Sequence, residues 1–146
     1  MKTIAQQINW DFEANGELRI KDKNGNEIYW ENLSGYWGKW EYDSKGKEIY
    51  FEGSSGEWLK WEYNSQGKRI YFESSNGYWE KYEYDSQGKE IYIENSSGWW
   101  IKMEYDSKGN RIYFENSYGK IIDNRPNPCE NKEIEIDGIK YKLVKQ

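Results

Sequence analysis

The sequence predicts an all-β fold: an antiparallel meander of tandem 21-residue β-hairpin repeats forming an elongated, twisted or superhelical sheet, with a rolled or closed β-barrel as the alternative topology. Three observations carry that prediction. Gly25, Gly46, Gly67, Gly88 and Gly109 stand 21 residues apart, and so do Gly35, Gly56, Gly77, Gly98 and Gly119; a two-glycine beat held over five copies marks a repeat architecture. Between the glycines, bulky and charged residues alternate with period two, the period of a strand. Only 36% of the 146 residues are hydrophobic, yet 9 Trp, 14 Tyr and 4 Phe make 18% aromatic. Aromatic girth thus replaces aliphatic bulk, which argues against both a deep-cored globule and a disordered chain.

The N-terminal segment, residues 1–20, departs from the repeat. Ile4 and Ile8 have helical spacing, which predicts a short turn of helix or a frayed arm over residues 1–9. Residues 10–13 and 17–21 flank Ala14-Asn15-Gly16 and read as the two strands of a capping hairpin. Residues 21–123 are the five repeats, each running strand A, turn, strand B, turn. In the copy 57–77, strand A is 57–63, Asn64-Ser65-Gln66-Gly67 is the first turn, strand B is 68–73, and Ser74-Ser75-Asn76-Gly77 closes the unit. Such a link suits a type I turn followed by a left-handed glycine, with the Asx side chain bonding the backbone ahead. Both links are short, so successive strands run antiparallel.

Faces follow from the period. Strand A repeats Trp37-Lys39-Glu41, Trp58-Lys60-Glu62, Trp79-Lys81-Glu83 and Trp100-Lys102-Glu104 on one side, and strand B adds Tyr50, Arg69-Tyr71-Glu73, Tyr92 and Arg111-Tyr113-Glu115. This fixed side is an aromatic, charge-paired ladder. The other side varies in identity but stays bulky, with Leu59 and Trp61 or Ile101 and Met103 in strand A and pairs such as Ile28/Trp30 and Ile70/Phe72 in strand B; it reads as the packed core. After Gly119 the pattern fails, because Ile121 replaces the tryptophan while Asp123 and Arg125 stand where Lys and Glu would follow. Residues 124–131, with Pro126 and Pro128, form a stiff linker. Residues 132–146 form a second capping hairpin about Asp137-Gly138, whose Ile134, Ile136, Ile139, Tyr141 and Leu143 are expected to cover the last repeat.

The units Tyr42-Asp43-Ser44-Lys45-Gly46, Tyr63-Asn64-Ser65-Gln66-Gly67, Tyr84-Asp85-Ser86-Gln87-Gly88 and Tyr105-Asp106-Ser107-Lys108-Gly109 resemble YD repeats of the RHS type over roughly residues 21–123. RHS shells are far longer, and five copies cannot enclose a cargo. The stretch Glu94-Asn95-Ser96-Ser97-Gly98-Trp99-Trp100 is also similar to short tandem repeats in small proteins of bacteriophages and mobile elements, a better match in size. A weaker similarity is to choline-binding and cell-wall-binding repeats, whose aromatic spacing differs from the Trp-x-Lys-x-Glu found here.

Chemistry-bearing residues are scarce. The chain has no histidine, which removes the commonest general base, the Ser-His-Asp triad and the commonest zinc ligand together. The single cysteine, Cys129, has no partner for a disulfide and reads as a bystander. Carboxylates such as Glu52 and Glu62 recur from copy to copy, whereas an acid–base pair needs one unique environment to split its pKa values. Asp-Ser-x-Gly turns offer too few oxygens for calcium. The expectation is a protein with no enzymatic activity, metal or cofactor.

A net charge of -5, from 26 acidic and 21 basic residues finely interspersed, disfavours nucleic acid and anionic membranes. No apolar run suits a signal peptide or a membrane span, so a cytoplasmic monomer in a bacterial host is expected. The ladder is the one candidate binding feature: Trp37, Trp58, Trp79, Trp100, Lys60, Lys81, Lys102, Tyr50, Tyr71, Tyr92, Tyr113, Arg69 and Arg111. Its expected partner is a larger protein or ribonucleoprotein, which the phage-like resemblance narrows to an inhibitor of bacterial defence of the anti-CRISPR sort. The alternatives are a glycan or cell-wall ligand, and RNA or single-stranded nucleic acid stacked on the rings.

Overall fold

A computed structural model describes residues 2–126 and 132–143. Two short helices, α1 (Ile4–Ile8) and α2 (Phe12–Asn15), precede eleven strands. These are β1 (Leu18–Lys21), β2 (Glu27–Glu31), β3 (Trp37–Tyr42), β4 (Glu48–Gly53), β5 (Trp58–Tyr63), β6 (Arg69–Ser74), β7 (Trp79–Tyr84), β8 (Glu90–Asn95), β9 (Trp100–Tyr105), β10 (Arg111–Asn116) and β11 (Ile121–Asp123). The sheet order is β1 to β11 in sequence, so every strand neighbours its predecessor and successor. The fold is therefore the expected antiparallel meander, and the barrel alternative is set aside because the sheet does not close. The chain forms two compact units, Met1–Trp100 and Ile101–Gln146.

The turn chemistry explains the hairpins. In the link between β3 and β4, Gly46 donates its N–H to Asp43 O at 3.0 Å and Asp43 donates to Lys47 O at 2.8 Å. Asp43 Oδ1 accepts from the Lys45 and Lys47 amides at 2.8 and 2.9 Å, and Gly46 takes φ +80°, which a residue with a Cβ adopts only with strain. The second link repeats this with Gly53-Ser54-Ser55-Gly56, Gly53 donating to Glu57 O at 2.8 Å and Gly56 to Gly53 O at 3.0 Å.

Each A–B hairpin also carries a bulge, which the face assignment from simple alternation did not include. Tyr63 lies opposite Arg69 and Glu62 opposite Tyr71, so Ile70 has no partner across the ladder. The same one-residue step follows Lys21/Glu27, Tyr42/Glu48, Tyr84/Glu90 and Tyr105/Arg111. A bulge displaces the alternation of everything before it. Arg69 thus leaves the ladder for the opposite face, and so does Arg111.

Burial corrects two further expectations. Residues 10–13 are not a hairpin strand: Asp11 caps α2, its Oδ1 accepting from the Glu13 and Ala14 amides at 3.0 Å each. Nor is the variable face a closed core. Among the described residues the buried hydrophobic cluster is Ala5, Leu18 and Tyr29, with Ile4, Trp10, Phe12, Ile20 and Trp37 packed on it. That cluster lies under α1 on the ladder side, while Phe51, Trp61 and Phe72 stay half-buried, because a single sheet layer has nothing above it.

In the second unit the expected Asp137-Gly138 turn joins β12 (Glu133–Ile136) to β13 (Ile139–Lys142) as a separate two-stranded sheet. Its Ile134, Ile136, Ile139 and Tyr141 are exposed instead of covering a repeat. Cys129 and most of the expected linker lie outside the described residues.

Candidate binding surface

The register assembles the ladder row by row. In the first unit Tyr29 faces Lys39, Tyr50 faces Lys60, and Tyr71 faces Lys81. On its other side each lysine faces a glutamate: Lys39 with Glu52, Lys60 with Glu73, Lys81 with Glu94. Each glutamate in turn faces a tryptophan, as Glu31 does Trp37, Glu52 does Trp58 and Glu73 does Trp79. One complete row across five strands therefore reads Glu41, Tyr50, Lys60, Glu73, Trp79. Directly opposed side chains sit close enough to interact along the whole row.

The contacts within this lattice are specific. Lys60 Nζ lies 5.8 Å from the Tyr71 ring centroid and Lys81 Nζ 4.9 Å from that of Trp79. Tyr29 stacks on Trp37 and Tyr92 on Trp100, at 6.3 and 6.4 Å between ring centroids. Tyrosine hydroxyls donate to the glutamate two residues on, Tyr29 to Glu31 at 2.8 Å and Tyr92 to Glu94 at 3.2 Å. Lys60 pairs with Glu62 at 2.9 Å and Lys81 with Glu94 at 3.4 Å. Burial raises the Tyr71 and Tyr92 phenols above their ordinary range, reinforced by Glu73 and Glu94. The Glu62 carboxylate raises the Lys60 ammonium. Tyr71 and Tyr92 thus present neutral hydroxyls, and Lys60 a charged head, at neutral pH.

The second unit, taken by itself, carries a similar lattice with altered parts. Lys102 faces Glu115 and lies 6.0 Å from the Tyr113 ring, and Tyr113 donates to Glu115 at 2.8 Å. Asp123 occupies the position opposite Tyr113 where earlier rows hold lysine. The cation is nevertheless kept: Arg125 places its guanidinium 4.1 Å from the Tyr113 centroid, bonded to Asp123 at 2.6 Å and Glu104 at 3.3 Å.

Trp37, Trp58, Trp79, Trp100, Tyr50, Tyr71, Tyr92 and Tyr113 are half-buried on the ladder, and Lys60, Lys81 and Lys102 are exposed there. Arg69 and Arg111 are not with them. Arg69 donates to the Tyr82 hydroxyl at 2.6 Å and to Glu80 at 3.3 Å, over the Phe72 ring, and Arg111 lies over Phe114 at 4.8 Å. The arginine cluster with Tyr78, Glu80 and Tyr82 is the polar feature that alternation alone missed. Its signal is parity: an odd 21-residue period would turn alternate copies over, so one residue per copy has to bulge to keep the faces in phase.

No protein-family model and no curated protein matches the chain. Solved structures do match. The TcdB2–TccC3–TEV crystal structure is similar at a TM-score of 0.54 and 20% identity, over 69% of this chain and 5% of that one. TcdB2–TccC3–Cdc42 follows at 0.53 and 20%, over 68% and 5%. The Photorhabdus luminescens Tc holotoxin pore matches at 0.52 and 20%, over 69% and 5%. This chain thus spans about one twentieth of those toxin-complex chains, and what it shares with them is the fold. The likeness agrees with the repeat architecture and carries nothing specific to phages.

Proposed function

We propose that the protein is a non-enzymatic binding module that docks a larger protein or ribonucleoprotein on its Trp/Tyr/Lys/Glu ladder. One observation carries the reading: rows of half-exposed aromatic rings with exposed lysine heads recur at constant register from β2 to β7. Extended aromatic rows on a protein surface are typical of interfaces. The absence of histidine from the sequence accords with a role that needs no general base. On the phage-like sequence resemblance, the specific form proposed is an inhibitor of a bacterial defence complex, acting in the host cytoplasm.

The test combines capture with mutation. A partner is identified by pull-down from bacterial lysate, and its affinity is measured for a Trp58→Ala, Trp79→Ala, Trp100→Ala triple variant shown to fold by circular dichroism. Buried aromatic anchors are each worth about 2 kcal/mol or more at an interface, so affinity should fall by more than two orders of magnitude. Arg69→Ala and Arg111→Ala, on the opposite face, should leave it within a factor of about three. Undiminished binding by the folded triple variant would sink the ladder as the interface.

A further inference from the structure

Beside α1, wholly within the first unit, a cleft of about 670 Å³ is lined by Ile20, Trp37 and Tyr42 together with the carboxylates Asp22, Glu41 and Asp43. Corresponding clefts recur in the next copies. One of about 600 Å³ includes Ile49, Tyr63, Glu62 and Asp43, and one of about 480 Å³ includes Ile70, Tyr84, Glu83 and Asp85. In the later copies the chain supplies a cation to the tyrosine. Lys47 Nζ stands 4.9 Å from the Tyr63 centroid and Lys68 Nζ 5.2 Å from that of Tyr84. Lys68 also donates to Gly88 O, and Lys45 donates to Ser65 O at 2.7 Å.

The first copy lacks both lysines. Asn26 occupies the position of Lys47 and Asn24 that of Lys45. Asn26 is tied back to Asp22 through its amide and side-chain nitrogens at 2.9 and 3.0 Å. Its Oδ1 reaches to within 3.9 Å of where a Cβ on Gly46 would sit, whereas Lys47 Cε comes to 2.9 Å of the same place on Gly67. The asparagine thus follows the first part of the lysine's path and stops. Among the described residues no cation stands over the Tyr42 ring; Lys39, in the cleft lining, is held by Glu41 at 3.5 Å, and Lys2 lies in the lining at the start of α1. Burial raises the Tyr42 phenol, and the charged groups acting on it, Glu48, Glu27 and Asp22, are all acidic. Aromatic rings backed by carboxylates attract ammonium groups.

We propose that an alkylammonium group binds over the Tyr42 ring, beside this cleft, where Lys47 and Lys68 stand over Tyr63 and Tyr84 in the next two copies. The site shares Trp37 and Glu41 with the ladder but does not rest on the ladder's docking a partner. Its test is an NMR titration of the full chain with n-butylammonium chloride against sodium chloride of equal ionic strength. Saturable shifts at Tyr42 and Trp37 are expected in the parent protein and in Asn26→Ser. Asn26→Lys, which restores the later copies' own cation, should weaken binding at least tenfold, and Tyr42→Leu should do the same should the lysine variant fail to fold. A tenfold gain for acetyl-Gly-Lys-Gly-amide over n-butylammonium would assign the site to a partner's lysine, and equal affinity to a free amine; both sustain it. No saturable shift at Tyr42, or affinity unchanged in a folded Asn26→Lys, would overturn the site.

Discussion

Glu31 is 2% exposed and is the one charged side chain buried among the described residues. It occupies the ladder position that Glu73 holds two copies later, yet its environment is different. Its Oε2 accepts from the Ala5 amide at 3.0 Å and from the Tyr29 hydroxyl at 2.8 Å, so one carboxylate joins α1 to β2. Removing it leaves two buried donors unpaired. Glu31→Ala should therefore cost about 3 kcal/mol in urea unfolding, while Glu73→Ala, on the open part of the ladder, should cost under about 1 kcal/mol. Equal effects would mean that α1 does not depend on this carboxylate. The tyrosines make a second residue-level prediction. Burial first, then hydrogen bonding to Glu31 and Glu80, pushes Tyr29 and Tyr82 up to about 12 from an ordinary 10. Raised folded-state values mean that the folded protein holds these protons more tightly than the unfolded chain does. The stabilisation is complete below pH 10 and is lost as pH rises from 10 to about 12. Absorbance at 295 nm should show two phenols ionising later than the rest, together with the loss of structure.

At the scale of the element, the repeat is two turns of one kind and two six-residue strands, the second of which carries a bulge. The strands and turns were legible because glycine, Asx and period two each point to the same hairpin. The equivalence of faces was legible too, but its mechanism was not. Without a bulge, Glu62 would pair with Ile70 and thence with Tyr82, and an odd period would turn every second copy over. With the bulge, Glu62 pairs with Tyr71 and Tyr71 with Lys81, so tryptophan and lysine keep to one side. Period-two reading was therefore right beyond the bulge and wrong before it, which is where Arg69 and Arg111 lie. At the N-terminus a similar conflict was missed: Asp11 and Glu13 are an N-cap and a first-turn acid, local signals that outweigh the alternation of residues 10–13. The turns give a direct test of backbone strain. Gly77 has φ +85° and nothing within 4 Å of a would-be Cβ, so Gly77→Ala probes conformation alone. It should cost about 1–2 kcal/mol by urea unfolding, and a neutral result would show that the link relaxes to another turn type.

For the whole molecule, stability comes from nearest neighbours. The strand pairs are all sequential, and apart from the cluster under α1 the described hydrophobic side chains stay partly exposed. Such a chain behaves as a one-dimensional array, in which each copy adds its own stability and one interface. Sequence could announce this through the 21-residue period, but it could not place the one buried cluster, because α1 covers the ladder face instead of the face that alternation marks as apolar. Excising residues 64–84 tests the array directly. The cut joins Tyr63 to Asp85 and so keeps the turn, the bulge and the ladder phase, since each residue of the next copy takes over its counterpart's neighbours. The shortened protein should fold with an unchanged far-UV circular dichroism shape. Its urea m-value should fall by about one seventh, in proportion to the 21 of 146 residues removed. Loss of folding would show that stability depends on contacts beyond adjacent strands. Binding separates the two surfaces in the same variant: one ladder row fewer should weaken a docked partner, while the Tyr42 site beside the cleft at α1, whose lining comes from residues 2–44, should bind n-butylammonium as before.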